Sequence, residues 1–150
     1  MPAGSVVAIH LAAEESGPVH VVEAVEAIAG TGLTGDRYCE PGADPARQLT
    51  LVEAEELERL EREHGIALAP GESRRQLTTR GVRLNELVGR RFSVGGVQCR
   101  GIELCEPCSH LQALTGRPGL LRALVHRAGL NAELLSSGTI AVGDVVAAQD

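Results

Sequence analysis

Within Cys105-Glu106-Pro107-Cys108-Ser109-His110 the chain sets two sulfurs, a carboxylate, a hydroxyl and an imidazole almost side by side. The residues before them, 96–104, have the length and β-branched content of a strand. Those after, Ser109–Thr115, have the spacing of a short helix closed by Gly116. Pro107 then suits the first turn of that helix, and Cys108 falls at its amino end, where unpaired N–H groups and the positive dipole end favour a thiolate. Such a sulfur is a nucleophile or a soft-metal ligand. The competing reading makes Cys108 a small buried hydrophobe; the polar neighbours Glu106, Ser109 and His110 are poor core fillers and argue against it.

Two other chemistries share these residues. The Cys-x-x-Cys spacing at a strand-to-helix junction is that of thiol-disulfide oxidoreductases, in which Cys105 would attack first. Against it, the motif comes late in the chain, and Pro118, the last proline, is placed to begin a helix rather than to precede a strand. A zinc site would draw on Cys105, Cys108 and His110 with Cys39 or Cys99, but one Cys-x-x-Cys without a second half is a weak zinc signature.

All 14 basic residues are arginine. Without a lysine the chain forms no Schiff base, which excludes covalent attachment of pyridoxal phosphate. Guanidinium forks suit phosphate and carboxylate instead. Arg74 and Arg75 lie in a loop read over 71–81 whose arginines, Ser, Thr and Gly either hold an anion or pair with the acidic helix that precedes it. Asp36 and Arg37 lie in the glycine-rich stretch 30–38, which either brings backbone N–H groups to a ligand or is a turn in which Asp36 caps the backbone. Its spacing matches neither the P-loop nor the dinucleotide fingerprint.

The elements that must position these groups are short. Strands are expected over 5–11, 19–28, 47–52, 91–94, 96–104, 139–142 and 145–148, with glycine turns between them. His10 and His20 then fall on half-exposed strand faces. Helices are expected over 53–64, stopped by Gly65, as a single turn at 84–87, and over 118–128, with Leu120, Leu124 and Val125 as its buried seam and His126 facing solvent. Many short strands and a few short helices predict a mostly β, barrel-like domain.

At 150 residues the chain is expected to be one domain, 1–150, burying about 68–70% of its unfolded surface. A net charge of −6 with no basic cluster argues against a nucleic-acid partner. No apolar run reaches membrane-span length, and the first residues lack a secretory leader, so a cytoplasmic protein with four reduced cysteines is expected. With only Tyr38 and Phe92 as aromatics, a base-stacking platform is poorly supplied.

An ordered series of short motifs then carries a family resemblance. It runs Gly35-Asp36-Arg37, Arg47-Gln48-Leu49-Thr50, Arg75-Gln76-Leu77-Thr78-Thr79-Arg80-Gly81-Val82 and Leu84-Asn85-Glu86-Leu87-Val88-Gly89. Pro107-Cys108-Ser109-His110-Leu111 and Gly138-Thr139-Ile140-Ala141-Val142-Gly143-Asp144 complete it. In this order the motifs resemble the MOSC domain, the module named for the carboxy-terminal part of molybdenum-cofactor sulfurase, over nearly the whole chain. The resemblance implies a β-barrel in which Cys108 is the functional cysteine. That residue either carries a persulfide sulfur toward a metal-sulfur centre or binds the molybdenum of the pterin cofactor, as in relatives that reduce N-hydroxylated compounds. It further implies a sulfur donor such as a cysteine desulfurase, and a cofactor-bearing acceptor or redox partner. Holding the cofactor for another protein, without turnover, is a third role. The cofactor contacts are expected at Asp36, Arg37, Arg47, Arg75, Thr78, Ser109 and His110, with Arg74 added on the chemistry of its loop. Gln76 stands where the family pattern leads one to expect asparagine, and neither the amino-terminal β-barrel domain of the larger relatives nor any iron-sulfur or flavin region is expected in these 150 residues.

Overall fold

The computed structural model of the protein describes residues 3–107, 113–116 and 119–149. Eleven strands are present among them: β1 Gly4–Leu11, β2 His20–Val22, β3 Ala24–Ile28, β4 Gly32–Leu33, β5 Leu49–Glu53, β6 Leu77–Arg80, β7 Arg91–Val94, β8 Val97–Leu104, β9 Leu130–Leu134, β10 Gly138–Ala141 and β11 Val145–Ala148. Seven of them, in the order β11-β7-β8-β9-β5-β6-β1, form a sheet that β1 closes by pairing with β11, and β2 is appended to β1. The result is a closed barrel, as the strand pattern predicts. The barrel pairs are antiparallel except β5 with β6. That parallel step needs a crossover connection, which the helix α1, Ala54–His64, and the loop after it provide.

Closure follows from alternation along the strands. Leu49 and Leu51 of β5, Leu77 of β6, Phe92 and Val94 of β7 and Leu130, Ala132 and Leu134 of β9 all enter one buried core. Their neighbours therefore face the outer wall. A second, smaller cluster joins Leu60 of α1 to Leu120, Ala123, Leu124 and Ala128, and covers that wall on one side. Gly65 ends α1 in the left-handed conformation (φ 68°), with its N–H on the last carbonyls, as its position predicts.

Several expectations are corrected. The single strand expected over 19–28 breaks at Glu23 into β2, which stays with the barrel, and β3, which becomes the middle of a separate sheet ordered β10-β3-β4. Its imperfect alternation is the trace of that change of partner. Residues 77–80, read as part of a loop, are β6, where Leu77 fills the barrel core and Thr79 is fully buried. The helix expected over 118–128 is only α2, Leu120–Ala123, followed by turns; Val125 is 45% exposed rather than part of a seam. His10 is buried, not half-exposed. Among the described residues no helix is long and apolar enough to cross a membrane.

Candidate functional site

The site lies on the outer wall of the barrel at the ends of β5, β8 and β9. Because Leu49 and Leu51 point inward, Thr50 points outward, and by the same alternation Asn131 does so between Leu130 and Ala132. Thr50 and Asn131 pair across β5 and β9 and form the floor of a hollow of about 140 Å3. Around it stand Arg37, Arg47, Arg74 and Arg75, with Tyr38 and Cys105, and among the described residues no carboxylate lines it. In a chain of net charge −6 this is a concentrated positive patch.

Each arginine arrives by a different route. The loop carrying Arg37 is docked by Asp36, whose buried carboxylate accepts from Ala12 N (3.0 Å), Tyr38 N (3.2 Å) and Gln76 Nε2 (2.7 Å). Asp36 enters the site as the anchor of this loop, with Arg37 Nη1 at 3.4 Å as a further contact. Gln76, in turn, is locked to the floor: its Oε1 accepts from Thr50 N and its N–H donates to Thr50 Oγ1, both at 2.9 Å. The amide thus ties the Asp36 loop to β5. The guanidinium carbons of Arg37 and Arg47 lie 4.3 and 5.2 Å from the centre of the Tyr38 ring, whose π-electrons attract both cations.

Arg74 and Arg75 are adjacent and do different things. Arg75 is buried and spends its guanidinium on three carbonyls: Nε on Ala128 O (2.9 Å), Nη1 on Ser73 O (3.2 Å) and Nη2 on Cys105 O (3.2 Å). It clamps the end of β8 to the segment before β9. Arg74 has left-handed backbone (φ 58°) and donates Nη1 to Gly17 O at 2.9 Å, while its Nη2 is buried without a hydrogen-bond partner among the described residues. Burial, and after it the nearby Arg37 charge, lowers the Arg74 pKa from its usual value. A desolvated guanidinium N–H in the field of a second cation has the chemistry that suits an anion.

Two neighbouring hollows share these walls. One of about 510 Å3 lies beyond Arg37, Tyr38 and Arg47 and is rimmed by Glu14, Glu15, Glu40 and Asp44. The other, about 370 Å3, lies beyond Arg74 and is walled by Pro18, Val19, Pro70 and Leu114. Cys105 lines the central hollow and Leu114 the second. Cys108, Ser109 and His110 themselves lie outside the described residues.

Thr78 is not part of this arrangement. It lines a separate hollow of about 210 Å3 with His10, Ser73 and Leu57. Gln76, just before β6 and bonded to Asp36, and Thr78 lie on the same side of the chain, but Thr78 is two residues further along, where Leu57 of α1 lines its hollow. Sequence reasoning missed Thr50, Asn131 and Tyr38 as lining residues; the first and second were detectable as polar positions between inward-facing leucines and alanine. Among the described residues no three His, Cys, Asp or Glu side chains converge as a metal set, and the zinc reading needs Cys108 and His110, outside them. Burial pushes the Cys99 thiol up to about 12, and burial together with the Asp36 charge raises that of Cys39. Neither is a thiolate near neutral pH.

Comparison with known proteins agrees with this architecture. No curated protein matches the chain. Among solved structures, the YuaD protein of Bacillus subtilis superposes with a TM-score of 0.80 at 17% identity, over 99% of this chain and 100% of that one. YiiM of Geobacillus stearothermophilus gives 0.75 at 16% identity, covering 98% of this chain and 75% of that one. YiiM of Escherichia coli gives 0.69 at 15%, covering 100% and 70%. At such identities the likeness is one of fold. The sequence itself decides the family, because the MOSC domain profile matches residues 28–147, from the end of β3 to within β11, and the chain therefore belongs to the MOSC domain family.

Proposed function

We propose that this MOSC domain carries sulfane sulfur as a persulfide on Cys108 and holds an anionic partner, the molybdenum cofactor, in the arginine hollow that Cys105 lines. The observation that supports this most is the convergence of Arg37, Arg47, Arg74 and Arg75 on the hollow that Cys105 lines, with Arg74 Nη2 buried and without a partner among the described residues. The donor set fits a phosphate and the oxygens of a pterin. Arg74 and Arg37 would take the phosphate, Arg47 and Tyr38 the approach from the larger hollow, and Thr50 and Asn131 the polar edge lying on the floor. When bound, the cofactor would supply a soft metal centre able to exchange a sulfur ligand or be ligated by Cys108.

The sulfur step needs no net redox change. The Cys108 thiolate attacks the outer sulfur of a donor persulfide, such as that of a cysteine desulfurase. A new S–S bond forms, the donor's S–S bond breaks, and the electron pair leaves with the donor thiolate. Guanidinium charge within reach of a cysteine favours its thiolate form and would stabilise the terminal persulfide anion. Delivery to an acceptor repeats the exchange in the other direction. The protein as isolated, analysed by mass spectrometry, tests the reading: an extra sulfur on Cys108 and a co-purifying molybdopterin support it. Turnover of an N-hydroxylated compound by the cofactor-loaded protein with a reductant would favour the reductase role instead.

A further inference from the structure

The segment leading to Cys108 is held at two successive residues. Cys105 N–H donates to Gly129 O at 2.8 Å while its carbonyl accepts from Arg75. Next, Glu106 engages His126 with both oxygens: Oε1 accepts the His126 backbone N–H at 2.6 Å, and Oε2 lies 2.5 Å from Nδ1. His126 has left-handed backbone, φ 61°, which a residue with a Cβ rarely adopts, and Asn85 Nδ2 donates to its carbonyl at 2.9 Å. The helix expected to run through this residue stops at Ala123.

We infer that Glu106 and His126 form a latch that positions the Cys108 segment, an inference that rests on Cys108 being the working sulfur. The side chains of Glu106 and His126 are 41% and 73% exposed, so neither fills the core, and an exposed pair of this kind adds little to stability. Its geometry nevertheless spans both partners, fixing a strained residue on one side and the residue two before Cys108 on the other. Only Pro107 lies between Glu106 and Cys108. A proline ring fixes its own φ, which removes one of the few backbone rotations between Glu106 and Cys108. Glu106 and His126 are positioning residues; neither needs to touch the sulfur being transferred.

The test is the rate of iodoacetamide alkylation at Cys108, located by mass spectrometry, in the full-length protein. Glu106→Ala is expected to slow Cys108 about tenfold, the scale of a modest misplacement of a reacting group. Glu106→Gln, which keeps an oxygen for the His126 N–H, is expected to stay within about threefold of the parent rate. His126→Gly, relieved of strain but without the ring, is expected to fall between them. Thermal unfolding of each variant separates positioning from loss of fold. Parent-like rates in folded Glu106→Ala and His126→Gly would overturn the latch alone. A parent protein whose Cys108 reacts no faster than free cysteine would overturn the reading of Cys108, and the latch with it.

Discussion

Arg75 Nη2 donates to the carbonyl of Cys105 at 3.2 Å, so a buried cation holds the strand end that leads to Cys108. The same guanidinium reaches Ala128 and Ser73, and lysine, a point donor on a flexible stem, cannot span three carbonyls. Arg75→Lys is therefore expected to cost on the order of 3 kcal/mol in urea unfolding, and to slow alkylation of Cys108 beyond what the lost stability explains.

Arg74 is the opposite case. Its Nη2 has no partner among the described residues, so Arg74→Ala removes a buried unsatisfied donor along with the Nη1 bond to Gly17 O, two opposing effects that are expected to leave stability little changed. Anion affinity is expected to fall about tenfold or more, because a charge-assisted hydrogen bond is lost. Titration with inorganic phosphate by calorimetry checks both halves, with unchanged affinity contradicting the assignment.

Gly129 is the hinge on which the Cys105 contact depends. Its φ is 117°, and a Cβ there would lie 1.9 Å from the Leu51 carbonyl oxygen. Only glycine lets this backbone approach β5 closely enough for Gly129 O to accept the Cys105 N–H. Gly129→Ala should lower unfolding free energy by about 3 kcal/mol or more and disturb Cys108 reactivity, whereas Gly143→Ala, with no atom near its Cβ position, should cost less.

Two buried groups give stability opposite dependences on pH. Burial lowers the His10 pKa below its usual 6.5, so its contribution is fully present above that value and is lost as pH falls below it. Burial raises the Glu53 pKa above 4.5, so the neutral form is favoured by folding, and stability is lost as pH rises through the raised value. Glu53→Gln, which keeps an acceptor for the Leu84 N–H, should raise the melting temperature at pH 7 and lose that advantage near pH 4. Replacing His10 with a neutral residue of similar volume should flatten the stability profile between pH 7 and 5. Thermal unfolding across the range reads both.

The barrel was legible because its strands are short, alternate inward leucines with polar residues and are punctuated by glycines. Strand partners were not: 19–28 looks continuous locally, yet its halves join different sheets. The 118–128 stretch shows the same limit in reverse. Its apolar spacing suits a helix, but the carbonyl of Ala128 is taken by Arg75 and the N–H of His126 by Glu106, contacts 53 and 20 residues distant in sequence. At the site, the family resemblance pointed to Arg37, Arg47 and Arg75 and the chemistry of its loop to Arg74, and the fold brings the four together. The division of labour between Arg74, with one Nη free among the described residues, and a saturated Arg75 depends on tertiary carbonyls and has no local signature. Thr78 was drawn in by its motif neighbours, although two positions along a strand carry it to another hollow.

The account turns on which sulfur carries the cargo. The decisive measurement is peptide mapping by mass spectrometry after exposure to a low-molecular-weight persulfide, on the parent protein and on Cys105→Ser and Cys108→Ser. The account predicts one added sulfur on Cys108, retained in Cys105→Ser and lost in Cys108→Ser, with Cys99, whose thiol is held at about 12, unmodified throughout. Added sulfur that sits on Cys105 and survives in Cys108→Ser would contradict it.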